Sequence, residues 1–163
     1  MSLHKITTTI NGATFHDEVE SRLSLVDYLR HRRHLTGTHV GCEHGVCGMC
    51  TILFDGQPVK SCLLLAVQAD QHELRTVESL SVGEPQDLHP LQSAFRAHHA
   101  LQCGFCTPAF LMTVIALAES QFDCSDEAML REELAGVICR CTGYVGIVAA
   151  AAEYLNTSRG VQQ

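Results

Sequence analysis

Residues 41–62 read GCEHGVCGMCTILFDGQPVKSC, and their four cysteines, Cys42, Cys47, Cys50 and Cys62, fall in the spacing C-x4-C-x2-C-x11-C. That is the plant-type [2Fe-2S] spacing, in which four thiolates hold one two-iron cluster. Gly41, Gly45 and Gly48 suit the task, because they let the backbone wrap tightly and turn N–H groups toward the sulfurs, where added negative charge needs stabilising. Structural zinc is the competing reading for four thiolates, but zinc needs no such wrapping.

Outward from this stretch the pattern is first strand-like and then helical. Residues 4–10 (HKITTTI) and the stretch ATFHDE that begins at Ala13 flank Asn11-Gly12, a strong hairpin signal. In SLVDYLRH, Leu25, Leu29 and their neighbours have helical spacing. Two short strands, TILF and QPVKS, bracket Asp55-Gly56, and another runs near ELRTV at 73–77. A small β-grasp, ferredoxin-like sheet with one helix accommodates these, with the loop at 41–50 on its edge. From about residue 88 the pattern is helical. The expected fold class is therefore α+β: a ferredoxin-like domain over 1–78, a connector over 79–88, and an all-α, four-helix-bundle-like domain over 89–163.

The helical half holds a second group, Cys103, Cys106, Cys139 and Cys141, as C-x2-C followed much later by C-x-C. This spacing is not a ferredoxin's, and it is tight for a zinc ribbon, so four thiolates here leave both iron–sulfur and zinc open. Thr107-Pro108 predicts an N-cap and first-turn proline for AFLMTVIALAES, and Thr142 predicts a cap for GYVGIVAAAAEYLN. Both cysteine pairs then stand at helix N-termini, whose dipoles favour anionic groups. SDEAMLREELAG lies between those two helices and completes a bundle that a metal centre would pin.

Composition narrows the classes. Nine cysteines without a secretion signal point to metal or redox chemistry rather than a disulfide framework. The start, MSLHKITTTINGATF, has neither a basic n-region with an apolar run nor a membrane-spanning stretch, so a cytoplasmic address is expected. A net charge of -7, with no basic run interleaved with aromatics, argues against nucleic acid. Cys42-x-His44 mimics half of a Rieske ligand pair, but the second half is absent from the sequence. His98-His99 is read as a helix end, His31 and His34 as a polar face, and Cys124 as a structural cysteine outside both groups. Nothing resembles a nucleophile with its base, a Rossmann or a P-loop pattern, so catalysis belongs on another chain.

GCEHGVCGMCTILFDGQPVKSC, LQCGFCTP and CRCTGY together closely resemble the iron–sulfur chains of the xanthine oxidase family of molybdenum hydroxylases. The resemblance runs from Ile6 to about Tyr154, with both cysteine groups matching in order and spacing. It implies that the second group also holds a [2Fe-2S] cluster. It implies a large partner chain holding molybdopterin and molybdenum, a further medium subunit holding FAD, and pairing into dimers of heterotrimers. By the same resemblance, the inner cluster on Cys103, Cys106, Cys139 and Cys141 lies near the pterin, and the outer one passes electrons onward. Gln102, which alone would read as an exposed loop amide, matches a glutamine that contacts the pterin, and Cys141 matches the cysteine nearest it.

Three positions depart from the family pattern. Relatives commonly read GNLCRCTGY where this chain has Gly136-Val137-Ile138 before Cys139, and Ala109 stands where glycine often follows Thr-Pro. None of these changes removes a ligand. The function expected is an electron-transfer subunit of a molybdenum hydroxylase. A free ferredoxin-like carrier or a zinc-stabilised scaffold is the alternative, and a free carrier leaves the helical half without a purpose.

Overall fold

Asn11 and Gly12 both take positive φ, 50° and 81°, closing a two-residue hairpin between β1 (Leu3–Ile10) and β2 (Ala13–Glu20), in which Ile10 faces Ala13. Asp55 and Gly56 repeat the device, at 48° and 79°, between β3 (Thr51–Phe54) and β4 (Gln57–Lys60). Paired positive φ values match the right-handed twist of the strands they join, which is why these two dipeptides fix both registers. The structure is a computed structural model that describes residues 2–80 and 88–160. Most of the expected connector, residues 81–87, therefore lies outside the described residues.

With β5 (Glu73–Arg75) the strands form one mixed sheet in the order β2-β1-β5-β3-β4. β1 and β5 run parallel, and the other pairs antiparallel. Asn11 ties the hairpin tip to the end of β5: its amide donates to Thr76 Oγ1 at 2.9 Å and accepts from Thr76 N–H at 2.8 Å.

The predicted helix over SLVDYLRH is only partly regular. A short α1 (Leu25–Asp27), capped by Ser24, widens into a π-type turn over Tyr28–Arg32, closed by Arg33 N–H donating to Tyr28 O at 3.1 Å. The wider turn places the Arg33 guanidinium 4.4 Å over the Phe15 ring and against Asp17, which also accepts from the buried Tyr28 hydroxyl at 2.6 Å. Burial and the adjacent Asp17 carboxylate raise the Tyr28 pKa. Tertiary contacts across β2 thus override the local spacing.

The second part is built from α2 (Pro90–Ala97), α3 (Thr107–Glu119), α4 (Glu127–Leu134) and α5 (Tyr144–Gly160). α5 packs against the other three. α3 is apolar nearly all round, with Ala109–Leu117 buried, because one side meets β3 and β4 and the other meets α5. β3 is shared in the same way. Ile52 faces the core formed with Leu25 and Leu29, whereas Leu53 faces the core formed with Phe110 and Val114. Period-two alternation in a strand covered on both faces explains why TILF is apolar throughout.

Two predicted caps shift. The residue at the cap of α3 is Cys106, with Thr107 and Pro108 already inside the first turn and no side-chain cap bond made. Thr142 adopts φ 59°, left-handed rather than the extended conformation of an N-cap, and its N–H closes a turn onto Cys139 O at 3.1 Å. Both threonines lie beside cysteines. Cys124 is buried and donates to Asn156 Oδ1 at 3.3 Å, and His98 closes α2 and pairs with Glu153. Among the described residues no helix is long and apolar enough to cross a membrane.

α2 and α5 cross closely enough that a Cβ on Gly146 would lie 2.7 Å from His98 O. Gly146→Ala is expected to lose about 1–3 kcal/mol of stability by overpacking that crossing, measured as a lowered thermal midpoint.

Candidate iron–sulfur sites

The loop 41–50 carries three cysteines into β3, and the β3–β4 hairpin brings back the fourth, in the short turn Ser61–Leu63. Cys62 N–H lies 3.5 Å from Cys50 Sγ, while the Ser61 hydroxyl and amide both donate to Cys50 O, at 2.8 and 3.2 Å. At the far end of the loop, Cys47 N–H points at Cys42 Sγ from 3.4 Å. Glu43 and Gly45 take positive φ, 57° and 81°, and this winding turns the loop amides inward. The amides of Cys47, His44 and Val46 act on the Cys42 thiol and lower its pKa to about 6. Burial, reinforced by the Cys62 thiol, pushes Cys50 up to about 11. The His44 ring is turned to the Cys42 carbonyl.

The second group assembles from two places far apart in the chain. Cys103 and Cys106 stand at the entrance of α3, and Cys139 and Cys141 in the turn between α4 and α5. Cys103 and Cys141 bring their Sγ atoms to 3.4 Å, and Cys106 lies beside Cys139, where burial and that second thiol push it up to about 12. The Phe105 amide, directed at Cys103, lowers the pKa of that thiol. Cys139 N–H donates to the Tyr144 hydroxyl at 2.8 Å, which anchors the C-x-C turn to the start of α5. Gln102 is exposed, and its amide donates to Cys141 O at 3.4 Å, so two residues separated by most of the helical half meet at one edge.

The cysteines of both groups meet two by two, through amide-to-sulfur contacts in the first group and through their side chains in the second. Four thiolates on a single zinc ion would all lie within about 3.8 Å of one another. Among the described residues, no three Cys, His, Asp or Glu side chains converge on one cation. A two-iron cluster asks for pairs, since each iron takes two thiolates and shares bridging sulfides with its neighbour. The donor set, the pairing and the inward amides therefore fit two [2Fe-2S] clusters.

The two groups are also joined to each other. Ile138 N–H donates to Cys47 O at 2.9 Å, linking the residue before Cys139 to a cysteine of the first loop. Gly48, at φ 73°, allows this approach: a Cβ there would lie 2.1 Å from Gly136 O. His39 stacks on Phe105, with ring centroids 4.6 Å apart and planes 12° from parallel. Sequence reasoning brought out neither this linkage nor the Tyr144 bond. Gly48 had a signal, in being a second glycine between two cysteines, but Tyr144, Ile138 and His39 form their contacts only through the tertiary fold.

Comparison with known proteins agrees with this architecture. Residues 8–81 match the family described as 2Fe-2S iron-sulfur cluster binding domain, and residues 76–152 match the [2Fe-2S] binding domain family. The chain is 53% identical to the caffeine dehydrogenase subunit gamma of Pseudomonas sp. (strain CBB1), over 92% of this chain and 90% of that one. It is 39% identical to the aldehyde oxidoreductase iron-sulfur-binding subunit PaoA of Escherichia coli, over 89% and 69% of the two chains. Among solved structures, that of quinoline 2-oxidoreductase from Pseudomonas putida 86 superimposes with a TM-score of 0.88, at 48% identity and 96% coverage of both chains. The protein is thus a carrier of two [2Fe-2S] centres. It belongs to the small iron–sulfur subunits of the xanthine oxidase family of molybdenum hydroxylases. It is the electron-transfer subunit of an oxidoreductase complex, and the catalytic centre is on another chain.

In protein stripped of iron under native conditions, Cys42 is expected to alkylate with a pH midpoint near 6, because its lowered pKa makes it a thiolate above that pH. Cys50 and Cys106, raised to about 11 and about 12, should stay protected at neutral pH. Peptide mapping by mass spectrometry after brief iodoacetamide treatment checks the order.

Proposed function

We propose that Cys42, Cys47, Cys50 and Cys62 hold the outer [2Fe-2S] cluster, and Cys103, Cys106, Cys139 and Cys141 the inner one. Single electrons then enter at the inner site and leave from the outer. The observation that carries the assignment is the two-by-two meeting of the cysteines: Cys47 N–H on Cys42 Sγ, Cys62 N–H on Cys50 Sγ, the Cys103 and Cys141 sulfurs together, and the Cys106 thiol beside Cys139. When bound, the clusters supply one-electron relay chemistry and take no part in breaking substrate bonds. The chain's own residues do the rest. Loop amides stabilise charge on the sulfurs, the Tyr144 hydroxyl fixes the C-x-C turn, and the Cys47–Ile138 bond fixes the distance between the sites.

Electrons come from a large partner chain holding molybdopterin and molybdenum, and go to FAD on a medium subunit, with the complexes pairing into dimers of heterotrimers in the cytoplasm. Support for the docking edge is chemical. Leu101, Phe105, Ile138 and Val145 expose 48%, 45%, 44% and 77% of their surface around the inner cysteines, and Phe105 and Ile138 line one groove with Cys103 and Cys106. Gln102, exposed at this edge beside Cys141, presents the amide that would contact the pterin. In this reading residues 1–78 are a β-grasp ferredoxin-like domain, 79–88 a connector, and 89–163 a four-helix bundle around α5. The substrate of the complex is a nitrogen heteroaromatic. Identities of 53% and 48% to subunits of enzymes named for caffeine and quinoline, against 39% for an aldehyde oxidoreductase, support that class.

Metal analysis with low-temperature EPR, on anaerobically purified, dithionite-reduced protein together with its co-purifying chains, tests the assignment. About four irons per chain and two distinct [2Fe-2S] signals are expected, and zinc without such signals would overturn it. Cys106→Ala should abolish the inner signal and destabilise the helical half while the outer signal persists. Gln102→Leu should slow substrate-driven cluster reduction on the order of tenfold with iron content unchanged, as stopped-flow absorbance would register.

A further inference from the structure

Resting on the cluster assignment above, we infer that His39 is a positioning residue for the inner site, acting through Phe105 although it belongs to the outer-site half of the chain. His39 Nδ1 lies 2.7 Å from Phe105 O. A carbonyl can only accept, so Nδ1 carries the proton and the imidazole donates. The same ring lies flat on the Phe105 side chain. Phe105 is therefore gripped at two points, at its carbonyl and at its ring, by one side chain from outside its own loop. Its amide is the group directed at Cys103, and its neighbour in sequence is Cys106.

The grip is only as firm as the segment that bears it, and that segment is pinned from several directions. Arg30 Nη1 donates to Thr36 O and Thr38 O, both at 2.7 Å. Gly37 N–H donates to Glu78 Oε1 at 2.8 Å, and the other oxygen of that carboxylate accepts from Thr76 Oγ1 at 2.6 Å. Thr38 itself is 2% exposed. A Cβ on Gly37 would lie 2.5 Å from a Val77 methyl, so the backbone there fits closely against the end of the sheet part. His39 thus projects from a rigid base, with Arg30 on one side and Glu78 on the other.

An amide donated to a cluster thiolate stabilises the more negative, reduced state and raises the reduction potential. Without the imidazole, Phe105 is free to turn about its backbone dihedrals, and its N–H, which lies on the peptide before the one that carries the gripped carbonyl, swings away from Cys103. The inner centre should then become harder to reduce, and the outer centre should be unaffected. The transfer concerned moves one electron from the inner centre, which is oxidised, to the outer centre, which is reduced, with no bond made or broken. A lower inner potential enlarges the driving force of that hop and weakens the pull on the electron arriving from the partner chain.

Two variants separate the donor from the stack. His39→Phe keeps an aromatic ring against Phe105 and deletes the donor, whereas His39→Gln keeps a donor and deletes the ring. The measurement is an EPR-monitored redox titration of the purified complex, with iron content as an independent check on loading. The parent protein must show two [2Fe-2S] signals, and their absence there would overturn the cluster assignment rather than the role of His39. With both signals present, a downward shift of the inner midpoint is expected in His39→Phe, a value close to the parent in His39→Gln, and an outer midpoint that does not move in either. An inner midpoint equal in all three proteins would overturn the inference. So would loss of both centres together in both variants, which would make His39 a residue of the fold alone.

Discussion

The backbones of Gly48 and Gly136 meet so closely that neither loop could keep its path if Gly48 carried a side chain. One of these residues belongs to the first cysteine loop and the other to the turn before Cys139. Their contact lets Ile138 donate to Cys47, which makes the distance between the two cysteine groups a property of the peptide backbone rather than of flexible side chains. Fixed separation is what electron tunnelling requires, and rigid thiolate cages keep the reorganisation small. The hairpin dipeptides, the shared strand and the apolar α3 all hold these two loops against each other.

Within each site the division of labour follows burial. Cys50, Cys106 and Cys139 are buried, whereas Cys103 is exposed and Cys42, Cys47, Cys62 and Cys141 are half-buried. One flank of each pair set is thus sealed in protein, and the other approaches the surface, where a partner can come within reach. Hydrogen bonding is distributed accordingly. Backbone amides lower the pKa of the exposed Cys103 and the half-buried Cys42, while at Cys50 and Cys106 burial outweighs the amides they receive and raises the pKa until a metal displaces the proton.

Much of this was legible in the sequence, because cysteine spacing and turn dipeptides are local signals. Asn11-Gly12 and Asp55-Gly56 encode their hairpins without help from the rest of the chain, and the first cysteine group carries its own chemistry. The second group did not: C-x2-C and C-x-C left iron and zinc open, and the pairing of Cys103 with Cys141 exists only once α3 and α5 pack. Thr107 and Thr142 were misplaced as caps for a related reason. Capping rules weigh a side chain against its own helix, whereas here Thr107 is already inside the first turn of α3 and the Thr142 N–H closes the C-x-C turn onto Cys139. The π-type turn after α1 escaped prediction because its cause, Asp17 on β2 binding both Tyr28 and Arg33, lies on another strand.

β3 has a consequence for biosynthesis. Its Leu53 side is covered by α3, whose residues follow more than fifty positions later in the chain. A ribosome therefore releases a complete sheet with one greasy face still bare, and that face waits for the helices before it is sheltered. A nascent chain in that condition invites chaperone holding until α3 arrives to cover it.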